Sequence, residues 1–304
     1  MARYRYLTAD VFTDTPFSGN QLAVFPDARG IPEHRLLDVT REFNYSETTF
    51  VYPADDPAHT RRVRIFTPGA EVPFAGHPTV GTAHVIAAIG DIPLDGDVTR
   101  IVFEEGVGPV PVVIRSTNGV PMSAQLSVAK LPETRPVATS HDAIAATLGL
   151  DASDLLGDDW SPEALSCGLP YLFVPVRNLA AVARARVRMD AWDATLKGTW
   201  ASEVFVFAPG GERAGTAFRA RMFAPGLNVP EDPATGSANA ALAGYLAARD
   251  TRRDGLLAWR VEQGFEMGRP SIIDVEADVV SGQVTAVRVG GASVLVAEGT
   301  MRIA

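Results

Sequence analysis

The pattern of apolar and polar positions predicts short strands interleaved with helices. The segment HRLLDVTREFN favours a helix whose apolar side carries Leu36, Leu37, Thr40 and Phe43. Asn44 follows these residues and is suited to a left-handed C-cap. The segments TTFVYP and VFVFAP are rich in β-branched and aromatic residues and end in proline, so both are predicted to be strands.

Two longer segments, 79–89 and 234–248, are small or apolar on almost every face. A helix with this pattern is normally buried on all sides. Proline is favoured as the first helical residue, because the amide hydrogen that it lacks would have no partner there. We therefore predict two buried central helices that begin at Pro78 and Pro233, each wrapped by the strands of its own half.

Four anchors recur in the same order along the chain, separated by 155 to 158 residues. They are SETTFVYP and SEVFVFAP, RIFTPGAEVP and RMFAPGLNVP, PTVGTA and PATGSA, and EEG and EQG. The decapeptides at 64–73 and 221–230 share six of ten positions. Four matches in register indicate an internal duplication of one structural unit.

The duplication predicts an α+β fold of two pseudo-symmetric halves, each a curved, mostly antiparallel sheet wrapped around a central helix. We expect the N-terminal half to cover 1–118 and the C-terminal half 119–304. The candidate linkers are the turn-forming segment STNGVPMS at 116–123 and the segment LPETRPVATS at 131–140. The final segment, VRVGGASVLVAEGTMRI, has the pattern of a hairpin and is not assigned to either half.

Composition limits the class of partner. The 304-residue chain has a net charge of −9 and a pI near 5.1, which argues against nucleic-acid and anionic-membrane partners. Its single cysteine, Cys167, excludes an intrachain disulfide, and we expect it to be an unreactive core residue. With no apolar run typical of a signal peptide or a membrane span, the expected location is cytoplasmic.

The residues at the predicted helix starts are candidates for ligand binding and proton transfer. If both amino ends face a crevice between the halves, their free N–H groups form a site for a small carboxylate. Alignment of PTVGTA with PATGSA places His77 opposite Asp232 and Thr82 opposite Ser237. A histidine facing a carboxylate can handle protons. Asp232 as a helix N-cap and His77 as a hydrogen-bonded turn residue remain alternatives.

Glu47 is the third candidate, because it lies between the predicted helix cap and an apolar strand. Burial would raise the pKa of its carboxyl group and suit it to proton transfer. Its repeat mate Glu203 favours a structural role instead, since a carboxylate present in both copies can be a simple acceptor. Ser237 near a helix start can be a cap or a donor, and no GxSxG motif supports acyl transfer.

In order along the chain, the motifs GN at 19–20, NYSETTF, GHPTVGTA, GLPYLFVP, EDPATGSANAAL and EQGFEMGRPS resemble the phenazine-biosynthesis PhzF-like family of isomerases. The resemblance extends from about residue 4 to the end of the chain. It implies the diaminopimelate-epimerase-like fold, a homodimer, and isomerisation without a cofactor or metal. In that reaction a glutamate moves a proton along a cyclic unsaturated acid such as trans-2,3-dihydro-3-hydroxyanthranilate.

Position by position, the resemblance implies Glu47 as the catalytic glutamate. It implies that His77, Asp232 and Ser237 bind and polarise the substrate. Substrate-binding positions follow from the same motifs: Asn20, Ser46, Gly76 and Gly236. Gln21 departs from the proline expected in many members, so the identity of the substrate stays open.

The sequence is also compatible with two alternative functions. A two-base epimerase of amino or hydroxy acids that pairs Glu47 with His77 is possible, whereas a two-cysteine epimerase is excluded by the single Cys167. The second is a catalytically silent ligand-binding protein of the same fold. Exchange of solvent deuterium into a ligand distinguishes an enzyme from a silent binder.

Overall fold

The computed structural model describes residues 2–304, which form two compact units. The first unit contains the residues up to Ala129 together with Gly290–Ala304, and the second contains Lys130–Val289. The C-terminal strand therefore belongs to the first unit. None of the helices in residues 2–304 is long and apolar enough to cross a membrane.

The strands β1 to β18 are, in chain order, Ala2–Val11, Asn20–Phe25, Glu47–Tyr52, Arg61–Phe66, Glu71–Val72, Val98–Glu105, Gly108–Thr117, Val120–Ser127, Glu133–Arg135, Glu163–Ser166, Pro170–Pro175, Glu203–Pro209, Phe218–Ala224, Val229–Asp232, Gly255–Gln263, Ser271–Val280, Gln283–Gly291 and Ser293–Ile303. The helices α1 to α6 are Leu36–Phe43, Gly76–Ala88, His141–Thr147, Leu179–Arg184, Met189–Thr195 and Gly236–Ala247. Short 3₁₀ helices cover Glu33–Arg35, Ala152–Asp154, Asp158–Trp160, Pro225–Leu227 and Phe265–Met267.

In the first unit, antiparallel pairing joins β18 to β1, β1 to β2, β3 to β4, β6 to β7 and β7 to β8. Parallel pairing joins β2 to β3 and β4 to β6. Helix α2 packs against strands from both ends of this order, including β1, β8 and β18, so the sheet curves around it. The predicted mostly antiparallel sheet around a central helix is confirmed.

Helix α2 is buried from Gly76 to Ala87, as its apolar sequence predicts. A side chain on Gly81 would lie about 2.5 Å from the side chain of Val11 and 2.6 Å from that of Leu22. Glycine is therefore needed where the helix approaches β1 and β2. The hydroxyls of Thr49 and Thr82 are 2.8 Å apart and tie the helix to β3.

The second unit repeats this pattern. Antiparallel pairing joins β10 to β11, β12 to β13 and β15 to β16, whereas β11 and β12 run parallel, as do β13 and β15. Helix α6 is buried almost throughout and packs against β10, β11 and β16. Helices α3, α4 and α5 contribute to a separate apolar cluster that includes Trp192 and Phe223.

The duplication extends to individual hydrogen bonds. Glu104 accepts hydrogen bonds from the backbone N–H groups of Asp55 and Asp56, at 2.8 and 2.7 Å. Glu262 accepts equivalent bonds from two consecutive backbone N–H groups in the second unit, at 2.9 and 2.7 Å. The first glutamate of the EEG and EQG anchors therefore binds a loop in the same way in both units.

The predicted helix starts are wrong by a few residues. Helix α2 begins at Gly76, so Pro78 is its third residue, and α6 begins at Gly236, three residues after Pro233. The sequence anchors align Pro78 with Pro233. In the structure, however, Pro73 and Pro233 are the equivalent residues, because each directly follows the strand before its helix and lies three residues before the helix start. The offset therefore rises from 157 residues at the decapeptides to 160 at the helices.

This realignment changes which residues correspond. His77 and Ser237 are both second residues of their helices, so they are the true repeat mates. Asp232 corresponds to Val72. Asp232 pairs with Met222 on β13 and Val72 pairs with Ile65 on β4, and these two partners are the second residues of their decapeptides. The predicted match of His77 with Asp232 is corrected accordingly.

The predicted linker at 116–123 is also corrected, because it forms the turn of the β7–β8 hairpin. Asn118 and Gly119 both have positive φ, at 52° and 77°, which is typical of a tight type I′ turn. The expected boundary at 118/119 thus falls inside a hairpin. The helix over 36–43 and the left-handed cap at Asn44 are confirmed.

Candidate active site

Four of the predicted site residues form a chain of contacts in the first unit. Glu47 Oε2 lies 3.2 Å from His77 Nε2, and the other ring nitrogen of His77 lies 3.3 Å from Asn20 Nδ2. The hydroxyl of Ser46 donates to Asn20 Oδ1 at 3.2 Å. Ser46, Asn20, His77 and Glu47 therefore form one continuous cluster.

Strand pairing brings this cluster together. Asn20 begins β2 and Glu47 begins β3, and these strands run parallel, with Leu22 opposite Glu47. The start of α2 then supplies His77. Gly19 has φ of 65°, and a side chain there would collide with the backbone oxygen of Val11, so only glycine can deliver Asn20 to this position.

His77 is only 5% exposed, and burial lowers the pKa of its imidazole to about 3; a hydrogen bond to the backbone of Gln21 offsets part of this effect. The ring is therefore neutral at neutral pH. Because Ser46 donates to the amide oxygen of Asn20, the amide NH₂ group faces His77 Nδ1. In the tautomer whose proton is on Nε2, Nδ1 accepts from this amide group and the Nε2 proton faces Glu47.

Glu203, the repeat mate of Glu47, has different contacts. It is buried, and it accepts hydrogen bonds from the hydroxyl of Ser202 at 2.9 Å and from the backbone N–H of Gly226 at 3.3 Å. Burial raises the pKa of its carboxyl group. The same position thus contacts an imidazole in one unit and a backbone amide in the other.

Asp232 lies at the end of β14 in the second unit. Its Oδ2 accepts a hydrogen bond of 2.5 Å from the hydroxyl of Thr235, which itself accepts one of 2.9 Å from Gln263 Nε2. Gln263 also donates to the backbone oxygen of Asp232 at 2.8 Å. The N-cap of α6 is Thr235, so the alternative of Asp232 as the N-cap is wrong. Gln263 is the support of Asp232 that the sequence did not reveal.

Ser237 is held by a second residue that sequence reasoning missed. Its hydroxyl lies 2.7 Å from the hydroxyl of Tyr171, which is buried on β11. The motif GLPYLFVP contains this tyrosine, but nothing in its spacing indicates a contact with Ser237. The pairing arises because β11 packs against α6.

Replacing Tyr171 with phenylalanine should lower kcat/KM by about 5- to 10-fold, because one hydrogen bond worth about 1 kcal/mol would no longer orient Ser237. Steady-state kinetics of the two proteins provides the measurement. Tyr245→Phe is a matched control on α6, where the hydroxyl donates to the backbone oxygen of Ser161 at 2.9 Å. Equal kinetic losses in both variants would contradict a specific role for Tyr171.

The helix starts fit a carboxylate ligand. Gly76 and Gly236 open α2 and α6, and neither N-cap side chain accepts a hydrogen bond from the first turn of its helix. N–H groups at such an end carry partial positive charge. Each unit thus presents one such helix start next to its own candidate side chains.

Cys167 lies between β10 and β11, and burial raises the pKa of its thiol to about 12, so the thiol is protonated at neutral pH. Among residues 2–304, no group of three or more histidine, cysteine, aspartate or glutamate side chains is placed to hold a metal ion.

The chain is similar to known proteins over almost its whole length. The family model of the PhzC–PhzF phenazine biosynthesis-like proteins matches residues 9–299. An uncharacterized isomerase of Mesorhizobium japonicum is 40% identical, with 100% of both chains covered. Trans-2,3-dihydro-3-hydroxyanthranilate isomerase of Pseudomonas aeruginosa is 33% identical, with 97% of this chain and 98% of that protein covered.

The solved structure of a PhzF-family phenazine biosynthesis protein from Bacillus anthracis matches 100% of both chains, at 25% identity and a TM-score of 0.88. Fold and relatives together define an isomerase with a duplicated α+β architecture. The chain belongs to the PhzC–PhzF family of phenazine biosynthesis-like proteins.

Proposed function

We propose that this protein moves a proton within a small, cyclic, unsaturated carboxylic acid without a cofactor, similarly to trans-2,3-dihydro-3-hydroxyanthranilate isomerase. The observation that carries the proposal is the contact of 3.2 Å between Glu47 and the buried imidazole of His77. The 33% identity to the Pseudomonas aeruginosa enzyme supports the substrate class.

In the proposed mechanism the substrate carboxylate rests on N–H groups at a helix start, for which those near Gly76 and those near Gly236 are the two candidates. The carboxylate of Glu47 removes a proton from one ring carbon, and the C–H electron pair shifts into the conjugated system. Glu47 then returns the same proton to a different carbon, so the double bond moves and the composition is unchanged.

The other predicted site residues hold and polarise the substrate in this mechanism. His77 is neutral, so its proton can stabilise developing negative charge without being transferred away. Asp232 is the candidate partner for a polar substituent of the substrate, and the hydroxyl of Ser237 is the candidate donor. Asn20 and Ser46 orient His77 through their hydrogen bonds.

The test is incubation with trans-2,3-dihydro-3-hydroxyanthranilate in heavy water, followed by proton and deuterium NMR. We expect the double bond to move and the new C–H position to retain protium, with deuterium only in the fraction of turnovers in which the Glu47 carboxyl group exchanges with solvent before it returns the proton. No reaction of this compound or of a panel of cyclic carboxylic acids would reject the proposal.

The same experiment separates the proposed reaction from a two-base epimerase. An epimerase would introduce deuterium at the α-carbon of an amino or hydroxy acid and invert its configuration, with no movement of a double bond. Such an outcome would assign Glu47 and His77 as the two bases.

A further inference from the structure

Glu105 is a buried carboxyl group that the proposed mechanism does not use. It ends β6 beneath the first turn of α2 and is 8% exposed. Its Oε1 lies 2.7 Å from the hydroxyl oxygen of Thr79, and that oxygen also lies 2.8 Å from the backbone oxygen of Ala75. Ala75 is the N-cap of α2, so these contacts fix the start of the helix that carries Gly76 and His77.

The number of available protons limits the charge state of Glu105. A threonine hydroxyl has one hydrogen, but two oxygens lie within hydrogen-bonding distance of Thr79. The backbone oxygen of Ala75 can only accept. Both contacts become full hydrogen bonds when Thr79 donates to Ala75 and Glu105 donates to Thr79. This arrangement requires a protonated, neutral carboxyl group.

The second unit shows the same site with an amide in place of the acid. Asn239 corresponds to Thr79, and Gln263 corresponds to Glu105. Asn239 Nδ2 has two hydrogens and donates both, to the backbone oxygen of Thr235 at 2.9 Å and to Gln263 Oε1 at 3.0 Å. Gln263 is neutral at every pH. The repeat thus places a permanently uncharged group where the first unit has Glu105.

The surroundings of Glu105 favour the same state. Burial raises the pKa of its carboxyl group to about 8, and the contact with Thr79 lowers it in part. On β7, the residue opposite Glu105 is the uncharged Gly108. Titratable or charged groups on β4, β5, β6 and α2 are Arg61, Arg62, Arg64, Glu71, Arg100, Glu104, His77 and His84.

Arg100 is exposed to solvent on β6, and the other groups have their own partners or are neutral. Arg62 pairs with Asp55, and Arg64 pairs with Glu33 and Glu71. Arg61 donates to the backbone oxygens of Thr60 and Asp91. Glu104 is bound to the 55–56 loop and His59. Burial lowers the pKa of His84 to about 4, so this imidazole is uncharged at neutral pH.

We propose that Glu105 is a positioning residue that holds the first turn of α2 through its acid proton, so that Gly76 and His77 keep their geometry only while that proton is present. This role rests on the proposed function of Gly76 and His77 in ligand binding. An ionised Glu105 would have no proton to donate to Thr79. It would also place a negative charge at the helix start that is proposed to bind an anionic ligand.

Glu105→Gln tests the proposal, because its side-chain amide can donate to Thr79 and cannot ionise. For trans-2,3-dihydro-3-hydroxyanthranilate, wild-type kcat/KM is expected to fall by about tenfold per pH unit above about pH 8 as the group ionises. This alkaline fall should disappear in Glu105→Gln, whereas Glu105→Ala, which cannot donate to Thr79, should lower kcat/KM at all pH values. An unchanged alkaline fall in Glu105→Gln would overturn the proposal.

Stability gives a readout that needs no substrate. The folded-state pKa of Glu105 is above its ordinary value of 4.5, so its contribution to stability is complete below pH 4.5 and is lost as the pH rises through about 8. The free energy of unfolding of the wild type should therefore fall over this range relative to Glu105→Gln. Identical pH slopes for the two proteins would contradict a buried acid proton.

Infrared spectroscopy and a reciprocal variant provide separate checks. The wild type at pH 7 should show the carbonyl band of a protonated carboxyl group that Glu105→Gln lacks. Gln263→Glu should lose more stability than the wild type as the pH rises. If it does not, the result counts against the proposal even if Glu105→Gln fails to fold. A wild type without turnover would reject the proposed function, while the infrared and unfolding measurements would still decide the state of Glu105.

Discussion

Replacing Glu47 with glutamine is expected to lower kcat by about 10³-fold, because a positioned acid or base typically contributes 10²- to 10⁴-fold. Glutamine keeps the shape of the side chain and can still face His77, but it cannot accept a proton from carbon. Folding and the dissociation constant for trans-2,3-dihydro-3-hydroxyanthranilate should change little. Single-turnover kinetics and calorimetry measure the two quantities separately.

The duplication supplies a matched control for this substitution. Glu203→Gln makes the same chemical change at the first residue of β12, where the carboxylate binds Ser202 and Gly226. We expect a loss of stability with kcat retained within about twofold, because the mechanism assigns Glu203 no proton transfer. If the two variants lost kcat equally, or if Glu47→Gln kept full turnover, Glu47 would not be the proton carrier.

Much of the fold could be predicted because its signals are local. The buried helices appear in the sequence as runs without a polar face, and the strand segments after Ser46 and Ser202 are dense in β-branched and aromatic residues. The duplication added the strongest evidence. It showed that each unit contains one such helix and the strands around it.

The helix starts were predicted wrongly because the most similar letters are not the equivalent positions. PTVGTA and PATGSA match by proline, glycine and alanine, yet the paired residues Met222 and Asp232 are three positions further apart in sequence than Ile65 and Val72. This insertion shifts the second helix along the chain. Hydrogen bonding decides the correct alignment: Thr79 contacts the backbone oxygen of Ala75 as Asn239 contacts that of Thr235. Residues of different type make the same contact, which sequence similarity cannot detect.

The candidate site was predicted only in part for a related reason. Sequence patterns made Glu47 and His77 candidates and the family resemblance implied their roles, but their separation of 3.2 Å depends on where β3 and α2 begin. The supporting residues Tyr171 and Gln263 come from distant strands whose pairing no local pattern specifies. EQG was noticed as a repeat anchor, but the hydrogen bonds of its glutamine require the folded chain.

Replacing Arg221 with alanine is expected to destabilise the protein by about 3–5 kcal/mol, the usual effect of removing one partner of a buried ion pair. Arg221 is 2% exposed on β13, and its guanidinium binds both carboxylate oxygens of Glu231, at 2.7 and 2.8 Å. It also donates to the backbone oxygen of Ala185 at 2.7 Å. Urea unfolding, with a lower midpoint and an unchanged m-value, measures this loss.

The repeat mate Arg64 provides the control, because it occupies the same place in the decapeptide and each arginine lies over a phenylalanine two residues later. The side chain of Arg64 is 22% exposed, and its partners Glu33 and Glu71 are 74% and 43% exposed. Solvent screens these pairs, so Arg64→Ala should destabilise the protein by only about 1 kcal/mol. Equal losses in the two variants would show that burial does not distinguish the pairs.

A second substitution separates the unpaired carboxylate from lost packing. In Arg221→Met the apolar chain is kept and Glu231 loses its partner, whereas Arg221→Met with Glu231→Gln removes the stranded charge as well. We expect the double variant to recover part of the lost stability, because an uncompensated carboxylate accounts for much of the effect. Glu231 immediately precedes Asp232 on β14, so the same series tests whether the buried arginine also holds the candidate site residue in place. If it does, kcat/KM will fall in Arg221→Met and recover with stability in the double variant.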